Sequence, residues 1–150
     1  MVQNELNAPR GRDFQEKVQA WFNENKDSDF ELEVPLMIGE PAKPHNFDIV
    51  NNNLKIAVEC KRYTWTETAN VPHGKIKGCN EAAFFLSYLP DDFTKYIVMF
   101  RSVHPKTQMT LAEYYYMHYS HLLVKHNIIV AELNPDMNPD KKALRIIGQD

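Results

Sequence analysis

Phe47-Asp48-Ile49-Val50-Asn51-Asn52-Asn53-Leu54-Lys55-Ile56-Ala57-Val58-Glu59-Cys60-Lys61 reads as two strands joined by a turn. Phe47 to Val50 and Leu54 to Lys61 are rich in apolar and β-branched residues, and the three asparagines between them tolerate the backbone angles that turns need. Successive side chains on a strand point to opposite faces. Glu59 and Lys61 therefore share one face, while Leu54, Ile56, Val58 and Cys60 share the other; on the first strand Asp48 opposes Phe47 and Ile49. Register decides whether Asp48 meets Glu59. Placing Phe47 and Ile49 on the apolar face with Ile56, Val58 and Cys60 requires pairings such as 47 with 60 and 49 with 58, which sets Asp48 directly across from Glu59. Opposed residues have Cβ atoms about 4.5–5.5 Å apart, and two carboxylates that close repel unless a cation or a proton lies between them. Such a donor pair suits Mg²⁺ or Mn²⁺, with a backbone carbonyl, water and a substrate phosphate in the remaining positions. Lys61, on the same face, is placed to orient a water or to stabilise charge developing on a phosphate.

Outward from the hairpin, helical and extended patterns alternate. Upstream, Phe14, Val18, Trp21 and Phe22 recur at i, i+4, i+7 and i+8 within Arg12 to Asn25, one face of a helix. Leu32, Val34, Leu36 and Ile38 alternate with Glu31, Glu33 and Pro35, a strand whose proline favours an edge or a bulge. Gly39 to Asn46, with two prolines, reads as a loop. Downstream, Arg62 to Gly78 shows no period and is expected to lead as a loop into a helix from about Cys79 to Tyr88, which Pro90-Asp91-Asp92 ends. Tyr96 to Phe100 is a near-continuous apolar run of the kind buried on both faces of a sheet. Thr110 with Glu113 forms a capping box opening a helix to about Lys125, and Ile128 to Leu133 is another strand. A polar turn over Asn134 to Lys142 precedes a short edge strand expected at Leu144 to Ile147. The order predicts an α/β fold whose mixed central sheet is flanked by helices.

The 150 residues, 43% hydrophobic and 25% charged with a net charge of -3, match one globular domain rather than a disordered chain. We expect that domain over residues 11–150, with residues 1–10 a flexible N-terminal tail. Met1 to Arg10 lacks the basic-then-apolar pattern of a signal peptide and any membrane-spanning run, so no membrane association and a cytoplasmic location are expected. Cys60 and Cys79 lie in no C-x-x-C spacing, which argues against a disulfide framework or a zinc knuckle. A pI near 6.1 argues against nucleic-acid binding by bulk charge. It leaves room for a site that gathers carboxylates around a cation, since the cation then meets the phosphate.

Asp48, ten intervening residues and Glu59-Cys60-Lys61 resemble the D…(D/E)xK signature of the PD-(D/E)xK, or restriction-endonuclease-like, nuclease superfamily. The resemblance covers about Gly11 to Phe100. It implies a restriction-endonuclease-like αβββαβ core, here with a C-terminal αβ extension, and the signature on the second and third strands. It further implies Asp48 and Glu59 as metal ligands, the Cys60 carbonyl completing the inner shell, and Lys61 positioning the attacking water, with Mg²⁺ as cofactor and Mn²⁺ able to substitute. Many members carry an acidic residue on the first helix in a pattern like G-x-x-F-E-x-x-V. In Gly11-Arg12-Asp13-Phe14-Gln15-Glu16-Lys17-Val18 the matching residue is Gln15, which borders the apolar face while Glu16 lies almost opposite it. Gln15 is therefore expected near the metal. Phe47 stands where the signature has proline.

The implied activity is metal-dependent hydrolysis of DNA phosphodiester bonds, the reaction of an endonuclease or related hydrolase, by a homodimer or within a larger nuclease complex. The alternative is a catalytically inactive nuclease-fold module that binds DNA or a partner protein, which Gln15 and the acidic pI motivate. Arg62, Trp65, Lys75 and Lys77, in the stretch after Lys61, are candidate nucleic-acid contacts set against an ordinary solvated loop. Cys60 is expected to be a packed thiol rather than a nucleophile. His118 with His121 lacks an evident third metal ligand, and the tyrosines 114, 115, 116 and 119 are expected to pack. No glycine-rich phosphate loop, H-E-x-x-H or G-x-S-x-G occurs, which removes the usual support for P-loop, zinc-protease and serine-esterase chemistry.

Overall fold

A computed structural model describes residues 2–149, with side chains from residue 8 onward. Helix α1 spans Val2–Lys26 and begins ahead of the Arg12 start that its apolar stripe suggests. Phe14, Val18 and Phe22 from that stripe are buried. Strands β1 (Glu31–Ile38) and β2 (Lys43–Asn51) form an antiparallel hairpin across a turn at residues 39–42, so most of the expected loop from Gly39 to Asn46 is strand. Gly39 adopts φ +84 in that turn, a conformation that costs glycine little.

Strand β3 covers Ile56–Lys61, two residues shorter than read, because Leu54 lies in the turn. The left-handed angle of that turn falls on Lys55 (φ 54) rather than on an asparagine. Asn51 contributes through its side chain instead: its Oδ1 accepts from the Leu54 N–H at 2.9 Å, and its Nδ2 donates to Ser28 Oγ at 2.8 Å.

Helix α2 runs His73–Ser87, a turn and a half earlier than its periodicity suggested, and strand β4 covers Thr94–Phe100. Helix α3 spans Leu111–Leu123 and opens on the expected capping box, in which Thr110 Oγ1 accepts from the Glu113 N–H and Glu113 Oε1 accepts from the Thr110 N–H. Strands β5 (Ile128–Leu133) and β6 (Leu144–Ile146) complete the chain.

The six strands stand in sequence order, β1 to β6, in one open mixed sheet. Pairs β1·β2, β2·β3 and β5·β6 are antiparallel, whereas β3·β4 and β4·β5 are parallel and are connected through α2 and α3. Pro35 sits on the edge strand β1, where proline is tolerated in a sheet.

Alternation along the central strands feeds two apolar layers. Ile49, Val58, Tyr96 and Val98 pack with Phe14, Val18 and Phe22 of α1, while Val50, Ala57, Ile97 and Met99 pack with Ile76, Cys79, Leu86, Leu111 and Tyr115 of α2 and α3. Each such large apolar side chain contributes roughly 1.5–3 kcal/mol by leaving water. Along the row Lys55, Ala57, Glu59, Lys61 the middle is withdrawn from water, with Ala57 fully buried and Glu59 5% exposed, while Lys55 stays exposed. No helix among the described residues is long and apolar enough to cross a membrane.

Candidate active site

Strands β2 and β3 pair Ile49 with Val58, Val50 with Ala57 and Asn51 with Ile56, and continuing this register sets Asp48 against Glu59. The ladder stops there. The Cys60 N–H that would bond the β2 backbone donates instead to Asp48 Oδ2 at 2.8 Å, so a carboxylate takes the place of a main-chain partner. The expected 47-with-60 pairing is absent for this reason. Phe47 departs from the expected face too: it packs in the α2–α3 layer with Val50 and Ala57, whereas Ile49 packs against α1. Asp48, between them, lies beside Glu59.

The pair is held away from water, and this dominates its electrostatics. Burial, then the neighbouring Asp48 charge, raise the Glu59 pKa from 4.5 to about 9. Burial also raises Asp48, against the lowering effect of the Cys60 N–H. At neutral pH Glu59 therefore carries the proton that lets two adjacent carboxyl groups coexist. Glu59 Oε1 is buried with no hydrogen-bond partner. His45 Nε2 lies 3.5 Å from that oxygen, too long for a good hydrogen bond. Burial lowers the His45 pKa, so the imidazole stands neutral beside the acid.

Lys61 shares the face of Glu59. Burial works to lower its pKa, but Tyr63, Glu59 and Asp48 outweigh that effect and hold the ammonium charged. Its Nζ lies 6.0 Å from the centre of the Tyr63 ring. Tyr63 crosses α2 at Gly78, where a Cβ would fall 2.5 Å from the tyrosine hydroxyl. Gln15 reaches the site from α1: its Nε2 donates to the Asp48 carbonyl at 3.0 Å and to Glu33 Oε1 at 3.1 Å. Burial lifts the Cys60 thiol well above its ordinary range, in keeping with a packed thiol.

Two neighbours escaped the sequence reading. Glu33 lies opposite Asp48 in the β1·β2 register, exposed and at φ 53, an angle that strains a residue bearing a Cβ. Extending the alternation of β1 against that of β2 would have found it. His45 sat in a presumed loop; in β2 its ring stacks on Phe85 with centroids 3.8 Å apart. Its sequence carried no strand signal, because Pro41 and Pro44 argue for a loop.

The candidate contacts after Lys61 disperse. Arg62 and Lys75 line a cleft with Lys61 and Tyr63. Trp65 is engaged in packing: its indole N–H donates to the Ser102 carbonyl at 3.1 Å, and its ring meets His104 and Tyr114 edge-on. Lys77 is exposed on α2, outside that cleft. On α3, His118 lies against Tyr114, and the buried Tyr115 hydroxyl donates to Asn80 Oδ1 at 3.0 Å.

Among the described residues, no three His, Cys, Asp or Glu side chains form a metal-holding group. The donor set at the strand divergence is nevertheless one that suits a hard cation. It offers two adjacent carboxyl groups, one with an unpartnered buried oxygen, and Mg²⁺ commonly takes one or two carboxylates while keeping several waters. Compared with known proteins, the chain matches no family model, no curated protein and no solved structure.

Proposed function

We propose that this protein is a metal-dependent nuclease of the PD-(D/E)xK type, with a restriction-endonuclease-like core, that hydrolyses DNA phosphodiester bonds. The observation that carries the reading is the buried Asp48–Glu59 pair with Lys61 on the same face and Glu59 Oε1 unpartnered. A structural role alone gives little reason to keep two carboxyl groups in contact at such a cost in desolvation. A bound divalent cation would supply what the pair lacks, a positive charge in place of the shared proton that could polarise a phosphate.

In this reading Asp48, Glu59 and the Cys60 carbonyl would hold Mg²⁺, and Mn²⁺ would substitute. The Cys60 N–H fixes the rotamer of Asp48 by its bond to Oδ2. Gln15 restrains the Asp48 main chain and turns Glu33 toward the site, so the negative charge that the first helix lacks enters from β1. Lys61 hydrogen-bonds the attacking water and faces the charge that develops on phosphorus. The water oxygen bonds to phosphorus as its proton passes to bulk solvent, the bond to the leaving sugar oxygen breaks, and the departing oxygen takes a proton from solvent.

The test is incubation with linear, supercoiled, single-stranded and branched DNA in Mg²⁺, Mn²⁺ or EDTA. We expect cleavage that EDTA abolishes, and a loss of about 10²–10³-fold in rate for Lys61→Ala, the scale of losing one transition-state donor. Glu59→Ala should be inactive. Absence of cleavage under every condition, together with no Mn²⁺ uptake by calorimetry, would remove the catalytic assignment in favour of a module that binds DNA or a protein without cutting.

A further inference from the structure

Strands β3, β4 and β5 run parallel and end level with one another, Lys61 pairing with Met99 and Phe100 with Leu133. The next residues are Arg62, Arg101 and Asn134. In open sheets with parallel strands, ligands collect beyond the carboxyl ends of those strands. Here a cleft of about 380 Å³ opens at that edge, walled by Arg62 and Arg101, by Arg10 and Lys17 of α1, and by the turn at Asn134 to Asp136.

Its cations outnumber its anions. Of the two acids in its wall, Asp13 is paired with Lys17 at 3.3 Å and Asp136 stands at the turn, while Arg101 faces the buried Glu132 at 3.4 Å from outside the wall. Among the described residues, Arg10 and Arg62 make no ion pair. The Arg62 guanidinium rests over the Phe100 ring, 4.4 Å from its centroid, which limits its freedom to swing into solvent. Partial burial and then the nearby Arg10 charge lower the Arg62 pKa, against the raising effect of Asp13. A second cleft shares Arg10 and Arg62 and continues to Lys61 and Lys75, so a track of cations leads from this edge to Lys61, which shares a strand face with Glu59.

We propose that the cleft between Arg10, Arg62 and Arg101 is a phosphate subsite, holding a backbone phosphate of the nucleic-acid strand next to the one presented to Asp48 and Glu59. The assignment rests on the nuclease reading. Guanidinium forks match phosphate oxygens in pairs, and the sequence-independent contacts of a nucleic-acid enzyme are of this kind. The track also reconciles strand binding with an acidic pI, since the cations are few but gathered on one edge.

The test is binding of a fluorescein-labelled single-stranded oligonucleotide to the full chain in EDTA, followed by anisotropy across a salt series, with inorganic phosphate as competitor. Arg10→Glu and Arg62→Glu should each weaken binding at least tenfold and lower the slope of log affinity on log salt by about one. Lys125→Glu, exposed and outside both clefts, should bind as the wild type does. Arg10 is exposed, so its variant tests the cleft even where Arg62→Glu fails to fold. Wild-type affinity in Arg10→Glu, or no oligonucleotide binding by the wild type, overturns the subsite. Arginine-dependent uptake of inorganic phosphate without oligonucleotide binding assigns the cleft to a free phosphate and overturns the strand path. Arginine-dependent oligonucleotide binding by a protein that cuts no DNA with any metal supports the subsite and sinks the nuclease reading separately.

Discussion

Glu59 holds a proton that a surface glutamate would have lost, and this has a measurable consequence for stability. Its folded pKa, about 9, lies above the ordinary 4.5. The stabilisation linked to that proton is therefore complete below about pH 4.5 and is lost as pH rises through 9, since the unfolded chain releases the proton first. In EDTA the melting temperature should accordingly fall between pH 5 and pH 9. Glu59→Gln, neutral and near-isosteric, should flatten that decline and stabilise the protein by about 1–3 kcal/mol at pH 7–8. Thermal melts across pH check this; a variant that melts below the wild type at pH 8 would show that the carboxyl group is stabilising there. A gain in stability with a loss of activity is the pattern expected where a site stores unfavourable contacts for function.

At the scale of elements, two features of the helices can be tested separately. Thr110 and Glu113 satisfy each other's backbone N–H groups at the start of α3. Thr110→Ala should cost about 1–2 kcal/mol in urea unfolding, and leave any cleavage unchanged because the cap is remote from Asp48. Gly78 matters through contact rather than conformation. Its missing Cβ leaves space for the Tyr63 hydroxyl, so Gly78→Ala should displace that ring and with it the neighbour of Lys61. We expect a drop in kcat with little change in urea midpoint, helix propensity gained at Gly offsetting the lost packing. An unchanged kcat would mean that Tyr63 has no part in placing Lys61.

For the whole molecule, the far side of the sheet is held by a buried acid. Glu132 on β5 is 1% exposed, and its Oε2 faces Arg145 Nε at 3.1 Å and Arg101 Nε at 3.4 Å. Arg145 also bridges to Glu113 of α3 at 3.2 Å, tying the β6 edge to that helix. Arg145→Ala should destabilise by about 2–4 kcal/mol, because it strands a buried carboxylate with one remaining partner. The double variant Glu132→Gln/Arg145→Ala should recover part of that loss, and chemical denaturation of the three proteins measures the coupling. No recovery would locate the cost in lost Arg145 packing instead.

Period and propensity made the helices and strands legible, because a 3.6-residue apolar stripe such as Phe14-Val18-Phe22 and an apolar run such as Tyr96 to Phe100 can be buried in few ways. The pairing of Ile49 with Val58 was legible for the same reason: a slip of one residue would turn apolar side chains to the wrong layer. That pairing alone brought Asp48 and Glu59 together. The sequence did not determine where the ladder would end, because the Asp48 carboxylate competes for the Cys60 N–H only once the strands are adjacent. Nor could it place Phe47 in the opposite layer from Ile49, bring Glu33 and His45 to the pair, or gather Arg10, Arg62 and Arg101 on one edge. Those juxtapositions join residues far apart in the chain, and only tertiary packing, which sets burial and the distances between charges, decided them.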